Sequence, residues 1–364
     1  MAGERYRCSA CGGDLVFQPG QPGLVCPHCG ASQAIGDSDG EVREQDFRAA
    51  VAAAAQAEPT LERREVTCNG CGARVTLDAG VQSDRCPYCA TQLAAAANPV
   101  QLLQPRALLP FALKRPQAQR LFHRWLRSRW FAPSSLRHMA GWEGALQGVY
   151  VPYWTYDAHT VTQYTGARGE DYWVTESYTT VVNGKTVHRT RQVRRTRWYP
   201  AAGVVENRFD DILVLASRSL PTAQADLLEP WNLVALVPYD ERYLQGFRVE
   251  SYQLGLEEGF GVAANRMQPQ IRETVCHDIG GDHQRVHSMD VAYPEITFKH
   301  ILLPVWVSSY RHRNRLYRIM VNAITGEVQG ERPYSVVKIL LAVLGGLAAA
   351  LLAAGLVMQF AGAR

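Results

Sequence analysis

The sequence "CPHCG" occupies residues 26–30, and "CPYCA" occupies residues 86–90. Each closes a set of four cysteines with the spacing C-x2-C-x14-C-x2-C. The two sets are Cys8, Cys11, Cys26 and Cys29, then Cys68, Cys71, Cys86 and Cys89. Each cysteine of the second set lies sixty residues after its counterpart in the first. This equal offset indicates an internal duplication.

The spacing predicts two metal sites. A C-x2-C turn directs two thiolates at one cation, and two such turns complete a tetrahedral shell with Zn–S bonds of about 2.3 Å. Gly12, Gly30 and Gly72 each follow the second cysteine of a turn, where a tight knuckle favours a residue that tolerates positive φ. We therefore expect two structural Zn²⁺ ions. A shell of four thiolates has no open position, so we expect no catalytic role for either metal.

Other uses of the cysteines are less consistent with this pattern. Disulfides need an oxidising compartment, and the start "MAGERYRC" has no apolar segment of the kind found in a signal peptide. A redox C-x-x-C motif normally occurs singly, near a βαβ pattern. Iron also fits four cysteines, although zinc is the commoner occupant. Because units of this size have little core, we expect the metal to supply most of their folding energy.

The other end of the chain is apolar. From Ile339 to Met358 there is no charged residue, and this run is about 30 Å long as a helix, enough to cross a bilayer. Six basic residues precede it, whereas Arg364 alone follows; the six are Arg311, Arg313, Arg315, Arg318, Arg332 and Lys338. The positive-inside rule then predicts a single-pass, tail-anchored protein with its N-terminal bulk in the cytoplasm.

Small residues recur every four positions within this apolar run, at Ala342, Gly346, Ala350 and Ala354. A face of small residues allows close approach of two membrane helices. The pattern therefore makes a homo-oligomer formed through this helix a candidate assembly.

A chain of 364 residues predicts several units. We expect a multidomain protein with two small four-cysteine zinc ribbons, an α+β domain and one C-terminal transmembrane helix. The predicted bounds are zinc ribbon 1 at 1–35, a partly helical linker at 36–65, zinc ribbon 2 at 66–93, a cytoplasmic α+β domain at 94–335 and the transmembrane helix at 336–361. A net charge of +4 is too small to indicate nucleic-acid binding by itself.

The stretch 101–142 contains no Asp or Glu. Pro116 can open a helix that ends near Phe131, with Leu121, Phe122, Trp125 and Leu126 on one face. Such a basic amphipathic helix can bind anionic lipid or nucleic-acid phosphates. A helix that packs on the core with a solvated basic face is the alternative interpretation. The candidate contact residues are Arg115, Arg120, Arg124, Arg127 and Arg129.

The region between 150 and 330 predicts strands and one helix. Asn183-Gly184 between alternating flanks indicates a β-hairpin, and "VPYW" at 151–154 echoes "LPVW" at 303–306, which favours two related β units. A helix is expected from about Leu254, and Pro269 should break or kink that helix. The segment 277–287, "HDIGGDHQRVH", predicts a polar loop, with a second kind of metal centre as the alternative.

No catalytic motif is recognisable. "TTVVNGKT" resembles a phosphate-binding loop, but Thr179 stands at its first glycine position and the segment lies in the hairpin. The chain has no H-E-x-x-H and no G-x-G-x-x-G after a strand. The sequence therefore leans away from an enzyme.

A resemblance to a known family rests on the tandem ribbons and on four further segments. These are "LLPFAL" at 108–113, "GVYVPYWTYDA" at 148–158, "FKHILLPVWVSSY" at 298–310 and "VNAITGEVQGERPYS" at 321–335. Together they resemble the bacterial TFIIB-type zinc-ribbon-containing membrane proteins, often labelled primosomal protein N′ or superfamily II helicase. The similarity runs over nearly the full length, with Ala90 and Ala323 where glycines would be expected. It implies a membrane-bound adaptor in the bacterial cytoplasmic membrane, with flotillin-like or phage-shock-like partners. A helicase motor needs a phosphate loop and paired nucleotide-binding folds, and the sequence shows neither.

We therefore expect a non-enzymatic, membrane-anchored zinc-ribbon adaptor or scaffold that presents a cytoplasmic surface to protein partners in membrane-stress assemblies. The alternative is a membrane-tethered nucleic-acid-binding protein, associated with replication or a helicase, that uses the ribbons and the basic stretch 106–137. A third hypothesis is an enzyme housed in the region 100–335.

Overall fold

A computed structural model describes most of the chain. The described residues are 6–21, 23–36, 41–54, 62–76, 83–89, 91–94, 98–101, 103–131, 146–182, 185–312, 315–331 and 334–362. They contain two four-cysteine clusters, a sheet-rich α+β body and one apolar C-terminal helix. The predicted fold class is therefore confirmed.

The ribbons are built from short strands. Ribbon 1 is a three-stranded antiparallel sheet of β1 (Val16–Phe17), β2 (Gly23–Val25) and β3 (Ser32–Ala34), in that order. Ribbon 2 has β5 (Glu62–Thr67) paired with β6 (Arg74–Thr76), and β7 (Ser83–Arg85) paired with β8 (Gln92–Ala94). A further strand, β9 (Asn98–Gln101), lies on the other side of β5. These pairings draw on residues on both sides of the predicted limits of ribbon 2, and the division into domains stays a prediction.

The segment between the ribbons packs on the body. It contains β4 (Gln45–Asp46), which pairs with residues 297–298, and helix α1 (Phe47–Ala54). Phe47 and Val51 lie against the core beside Phe260.

The body has eight strands and four helices among the described residues. The strands are β10 (Ala107–Leu108), β11 (Gln147–Val182), β12 (Lys185–Leu215), β13 (Val237–Pro238), β14 (Arg248–Val249), β15 (His283–His312), β16 (Arg315–Asn322) and β17 (Val328–Gly330). The helices are α2 (Arg115–Ser128), α3 (Thr222–Asp226), α4 (Leu256–Ile279) and α5 (Val336–Gly362). Two short 3-10 helices, Leu233–Ala235 and Glu241–Leu244, connect β12 to β14.

Two long strands, β11 and β15, form the centre of the body. They pair antiparallel from Gln147↔Val307 to Gly169↔His283. The two echoed segments face each other in this pairing, with Val151 opposite Leu303. On either side of that pair, Pro152 lies opposite Leu302 and Pro304 lies opposite Tyr150. The two units are thus related by a local two-fold axis through the pair Val151 and Leu303.

The same symmetry places each outer strand. Pairing of β12 with β11 begins just after Pro152, at Tyr153↔Leu215, and pairing of β16 with β15 begins just after Pro304, at Val305↔Asn322. A proline has no N–H to donate, so it is tolerated where a ladder starts rather than in its middle. Each proline carbonyl accepts a hydrogen bond from the residue that follows the outer strand: Ala216 N–H donates to Pro152, and Ala323 N–H donates to Pro304.

Alternation along β11 and β15 creates two buried faces, because successive side chains in a strand point to opposite sides. One face includes Tyr150, Leu302 and Trp306, which pack with ribbon 1 and α2. The other face includes Val151 and Leu303, which pack with ribbon 2. The two ribbons therefore lie on opposite faces of one sheet.

Helix α4 covers the sheet beyond ribbon 1. Its buried residues follow a helical stripe: Leu256, Gly259, Ala263, Met267, Ile271, Val275 and Ile279. The helix continues through Pro269 to Ile279, so of the two predicted outcomes the break is wrong, and the kink stays a prediction. Pro269 lies on the exposed side, where water can hydrogen-bond the carbonyl of Asn265 that loses its partner.

Other parts of the body also differ from the expectation. The "HDIGGDHQRVH" segment is not a loop, because α4 extends to Ile279 and β15 begins at His283. Strands β11 and β12 stay paired up to Val182↔Lys185, as expected of a hairpin with a two-residue connection. The connecting residues, Asn183 and Gly184, lie outside the described residues. Beyond Gly169 these two strands leave β15 and form an arm, residues 170–197, about 40 Å long at about 3.3 Å per residue.

Two glycines of α4 provide a test of this packing. A Cβ at Gly259 would clash with the Tyr156 hydroxyl and lie 2.9 Å from Trp154 Cδ1, whereas nothing lies within 4 Å of a Cβ at Gly261. We expect Gly259→Ala to lower the free energy of unfolding by about 1–3 kcal/mol through overpacking. Gly261→Ala should raise it by up to about 1 kcal/mol through helix propensity. Urea unfolding of the two zinc-loaded variants measures both, and equal effects would contradict the packing of α4.

Candidate metal centres

The eight predicted ligands form two clusters. Within each set of four, the sulfur atoms all lie within 4.8 Å of one another. The nearest pairs join the two knuckles of a ribbon: Cys8 Sγ is 3.5 Å from Cys29 Sγ in ribbon 1, and Cys68 Sγ is 3.4 Å from Cys89 Sγ in ribbon 2. A tetrahedral zinc–thiolate shell has sulfur–sulfur edges of about 3.8 Å, whereas a disulfide is about 2.05 Å long. Both sites therefore fit a four-coordinate Zn²⁺.

The four knuckles share one backbone geometry. The N–H of the first cysteine of each turn donates to the carbonyl five residues later, from Cys8 to Gly13, Cys26 to Ala31, Cys68 to Ala73 and Cys86 to Thr91. Gly12, Gly30 and Gly72 have φ between 72° and 77°, as predicted. The counterpart in the fourth turn, Ala90, lies outside the described residues. The local sequence thus shapes each half-site before any distant contact is made.

The knuckle backbone also favours thiolates. The N–H groups of Cys29 and His28 lower the pKa of the Cys26 thiol to about 6. Those of Ala10 and Cys11 lower the pKa of Cys8, whereas hydrogen bonds among the four sulfurs raise the pKa of Cys11 and of Cys29. Zinc binds the deprotonated form of cysteine, so amides directed at the sulfur prepare the site for the cation.

Ribbon 1 is attached to the body by its strands and exposes its metal end. Leu15, Phe17 and Leu24 are buried against the body, and Phe17 N–H donates to the Gln245 carbonyl over 3.0 Å. In contrast, Cys11 and Cys29 are exposed. The strands therefore gain core from the body, so metal is not their sole source of folding energy.

Ribbon 2 is attached by its metal end. Three of its four cysteines are buried and Cys71 is half-buried. Arg74 accepts a backbone hydrogen bond from Ser251, next to a β-bridge between Val75 and Glu250. Its second knuckle carries Tyr88, which is fully buried and donates a hydrogen bond of 2.5 Å to Glu250.

Glu250 is the polar contact beneath this knuckle. Its carboxylate is buried and accepts hydrogen bonds from Tyr88, Ser217 and Ser219, and from the Gln253 amide. Burial raises the pKa of Glu250 to about 7, against the three hydroxyl donors, which lower it. An anionic Glu250 needs all these donors, because an unpaired buried charge is costly. The knuckle of ribbon 2 is thus part of a buried polar network of the body.

Sequence reasoning missed this network. Tyr88 occupies the same place in the second knuckle as His28 in the first, sixty residues earlier. His28 is exposed and Tyr88 is buried. The replacement of a polar residue by a large aromatic one between two cysteines was the available signal that this knuckle meets a surface.

The predicted basic helix is α2, and it packs on the core. Phe122 and Leu126 are buried, with Leu121 and Trp125 against the same cluster, as expected. It ends at Ser128 rather than near Phe131. The arginines divide: Arg120, Arg124 and Arg127 form one exposed stripe, Arg115 lies at the N-terminal end of the helix, and Arg129 stacks on the Trp125 ring at 5.0 Å. Residues 132–137 of the basic stretch lie outside the described part.

The alternative metal centre in 277–287 does not form among the described residues. Asp278 accepts a hydrogen bond of 2.5 Å from Tyr164, and Asp282 accepts one of 2.8 Å from the Asp171 N–H. The Nε2 atom of His283 lies 3.2 Å from an oxygen of Asp171. These side chains attach the α4–β15 turn to β11.

A third cluster of possible metal ligands, made of acidic residues, lies where β4 meets the sheet. Carboxylate oxygens of Glu44, Asp157 and Asp210 lie within 4.8 Å of one another. Lys299 Nζ already donates to Glu44 at 3.1 Å and lies 2.8 Å from Asp211. Burial and Glu44 raise the pKa of Asp157 to about 7, and the hydrogen bond from Asp157 lowers that of Glu44 to about 2. Because the lysine provides the cation, we assign no metal here.

The apolar tail forms α5. Among the described residues, α5 is the one helix that is both long enough and apolar enough to cross a membrane. The apolar segment is Val336–Ala354, and none of it is buried. The four small residues Ala342, Gly346, Ala350 and Ala354 are exposed along it. Pairing of two such helices stays a prediction.

Comparison with known proteins agrees with the first metal centre. Residues 5–35 match the A2L zinc ribbon domain family. The chain is 24% identical over 239 residues to a Bacillus subtilis (strain 168) protein called uncharacterized protein YdjG. The aligned region covers 64% of this chain and 65% of that protein. The chain thus spans slightly less than two thirds of the length of that relative. No solved structure matches it. The zinc-ribbon part of the resemblance is supported, and the TFIIB-type label and the membrane family stay predictions.

Metal removal should distinguish the two ribbons. We expect a chelator to remove one Zn²⁺ at least about tenfold faster than the other, because exposed thiolates at Cys11 and Cys29 admit the competing ligand and buried ones do not. Release monitored with a coloured zinc chelator should be biphasic, and Cys11→Ser should abolish the fast phase alone. In denaturant both ions should leave in one phase. Two equal rates in the folded chain would contradict the unequal burial.

Two buried tyrosines provide a matched test of the ribbon 2 contact. Tyr88 and Tyr153 are both at most 1% exposed, but only Tyr88 has a hydrogen-bonded hydroxyl among the described residues. We expect Tyr88→Phe to lower the free energy of unfolding by about 1–3 kcal/mol because Glu250 loses a donor. Tyr153→Phe should be nearly neutral. Chemical unfolding at saturating zinc measures both, and an equal loss in the two variants would refute the role of the Glu250 network.

Proposed function

We propose that this protein is a non-enzymatic, membrane-anchored adaptor that presents the metal end of ribbon 1 to a protein partner on the cytoplasmic side of the membrane. The unequal burial of the two ribbons is the observation that carries the proposal. Ribbon 2 uses its metal end to attach to the body and buries three of its four cysteines, whereas ribbon 1 buries Cys8 and Cys26 but leaves Cys11 and Cys29 exposed. A duplicated module with one copy buried and one exposed fits attachment by one and recognition by the other.

The exposed surface of ribbon 1 suits protein recognition. Its knuckle residues Pro27 and His28 are exposed, as is the whole of β3. Strand β3 is an outer strand of its sheet, because among the described residues only β2 pairs with it. A free strand edge can accept an added strand from a partner, and rigid knuckles beside it add side-chain contacts. The metal in a complete four-thiolate shell supports this surface without chemistry.

Helix α5 supports the anchoring. It is apolar, unburied and long enough to span the bilayer, and the basic residues that precede it favour a cytoplasmic body. At that location the cysteines stay reduced and able to bind zinc. The family resemblance suggests membrane-stress proteins of flotillin-like or phage-shock-like type as the partner class.

A matched pair of double variants tests the proposal. His28→Glu with Gln33→Glu alters the exposed surface of ribbon 1, and His188→Glu with Gln192→Glu makes the same changes on the exposed arm. Cross-linking and affinity capture of the full chain from intact membranes should recover a partner that only the ribbon 1 variant loses, by at least about tenfold, the scale of one lost interface hot spot. Zinc content must stay at two ions per chain in both variants.

Other outcomes would contradict the adaptor. A partner retained by the ribbon 1 variant and lost by the arm variant would place recognition on the arm. Material that nuclease releases, or whose binding falls steeply with salt and with Arg120, Arg124 and Arg127 substitutions, would favour the nucleic-acid alternative. Nucleotide hydrolysis by the purified chain would favour an enzyme.

A further inference from the structure

The end of α2 contacts the beginning of α5. The Ser335 N–H donates to the Phe131 carbonyl over 2.8 Å, and Lys338 Nζ donates to the Trp130 carbonyl over 3.2 Å. Trp130 is 70% exposed and Phe131 is 39% exposed, although both are large and apolar. Two uncovered aromatic side chains therefore lie beside the first turn of the helix that is apolar enough to cross a bilayer.

Positive charge leads up to this contact. The inner side of α2 buries Ala118, Phe122 and Leu126, so its outer side carries Arg120, Arg124 and Arg127. The described stretch 103–131 contains no Asp or Glu. Arg127 precedes Trp130 by three residues, and both are exposed. Exposed cationic and aromatic groups thus follow one another along this segment.

We propose that Trp130, Phe131, Lys338 and the arginine stripe of α2 form a docking surface for anionic phospholipid headgroups. The proposal rests on the membrane anchoring proposed above. A bilayer crossed by α5 brings its headgroups to the level of Ser335–Lys338, where tryptophan and phenylalanine can enter the interface. Lysine and arginine near an anionic leaflet are attracted to its phosphates. The surface therefore meets lipid phosphates before any soluble polyanion.

The surface should act in a graded way along α2. At about 1.5 Å per residue, Arg120 lies about 10 Å farther along the helix axis from the contact than Arg127. The attraction of an anionic surface decays over a Debye length of about 8 Å. We therefore expect Arg127 to contribute most and Arg120 least.

Fluorescence quenching of the full chain in nanodiscs tests the surface. Phosphatidylglycerol or phosphatidylcholine with brominated acyl chains is included at one fixed mole fraction, and tryptophan emission is recorded. Trp130→Phe should remove most of the quenching, whereas Trp173→Phe, at an equally exposed site on the arm, should not. Brominated phosphatidylglycerol should quench about two- to fivefold more than brominated phosphatidylcholine, as an attraction of one or two arginines allows.

Paired charge variants then test the arginines. Arg124→Gln with Arg127→Gln should bring the lipid preference to about one, and Arg189→Gln with Arg191→Gln on the arm should leave it unchanged. Equal quenching by both lipids in the unmodified chain, or quenching that survives Trp130→Phe, would refute the docking surface. The docking surface would also be refuted if Arg124→Gln with Arg127→Gln weakened oligonucleotide binding but kept the lipid preference. That result would identify nucleic acid as the ligand.

A separate measurement distinguishes this failure from failure of the anchoring. If the chain resists alkaline extraction from membranes and Trp130 is not quenched, the docking surface is refuted and the anchor stands. If alkali releases the chain, the anchoring itself is refuted and the docking surface with it.

Discussion

The antiparallel pairing of β11 with β15 is the constraint on which the other contacts depend. Its alternation sends Tyr150 and Trp306 to one face and Val151 and Leu303 to the other. A shift by one residue would exchange the two faces, and each ribbon would then meet side chains shaped for the other. On the outer edge of each strand a proline separates two partners: Pro152 lies between the residues that pair with β14 and those that pair with β12, and Pro304 lies between those that pair with β10 and those that pair with β16.

Two copies of one metal module fulfil different tasks because they meet this sheet in different orientations. Ribbon 1 uses its strands for attachment, through Phe17 and its neighbours, and its metal end is exposed. Ribbon 2 uses its metal end, through Tyr88 and Glu250. Docking on a shared sheet also adds core that neither module holds by itself, which explains how units with so few apolar residues can be rigid parts of the protein.

The long strands also give the molecule two distinct ends. Strand β11 begins opposite the part of β15 whose other edge pairs with β16, and it runs to the tip of the arm. Arginines are exposed at both ends, but many on the arm have local partners: Glu176 pairs with Arg191 and Arg195, and Asp171 pairs with Arg194. On α2 the stripe lies in a segment without acidic residues. Similar composition therefore leads to different electrostatic surfaces.

Local physical chemistry explains what could be predicted. The cysteine spacing, the knuckle glycines and the length of the apolar run determined the metal sites and the tail helix from the sequence, because each depends on neighbours a few residues apart. Pro269 and the 277–287 segment were misjudged, since distant packing of Met267 and Ile271 keeps α4 intact and Asp171 holds the turn. Tyr88 in the place of His28 was a sequence signal that one knuckle is buried, but the partner of that knuckle was decided by the tertiary structure alone: the Tyr88–Glu250 contact joins residues 162 positions apart, and no local pattern encodes a partner that the sheet register brings near.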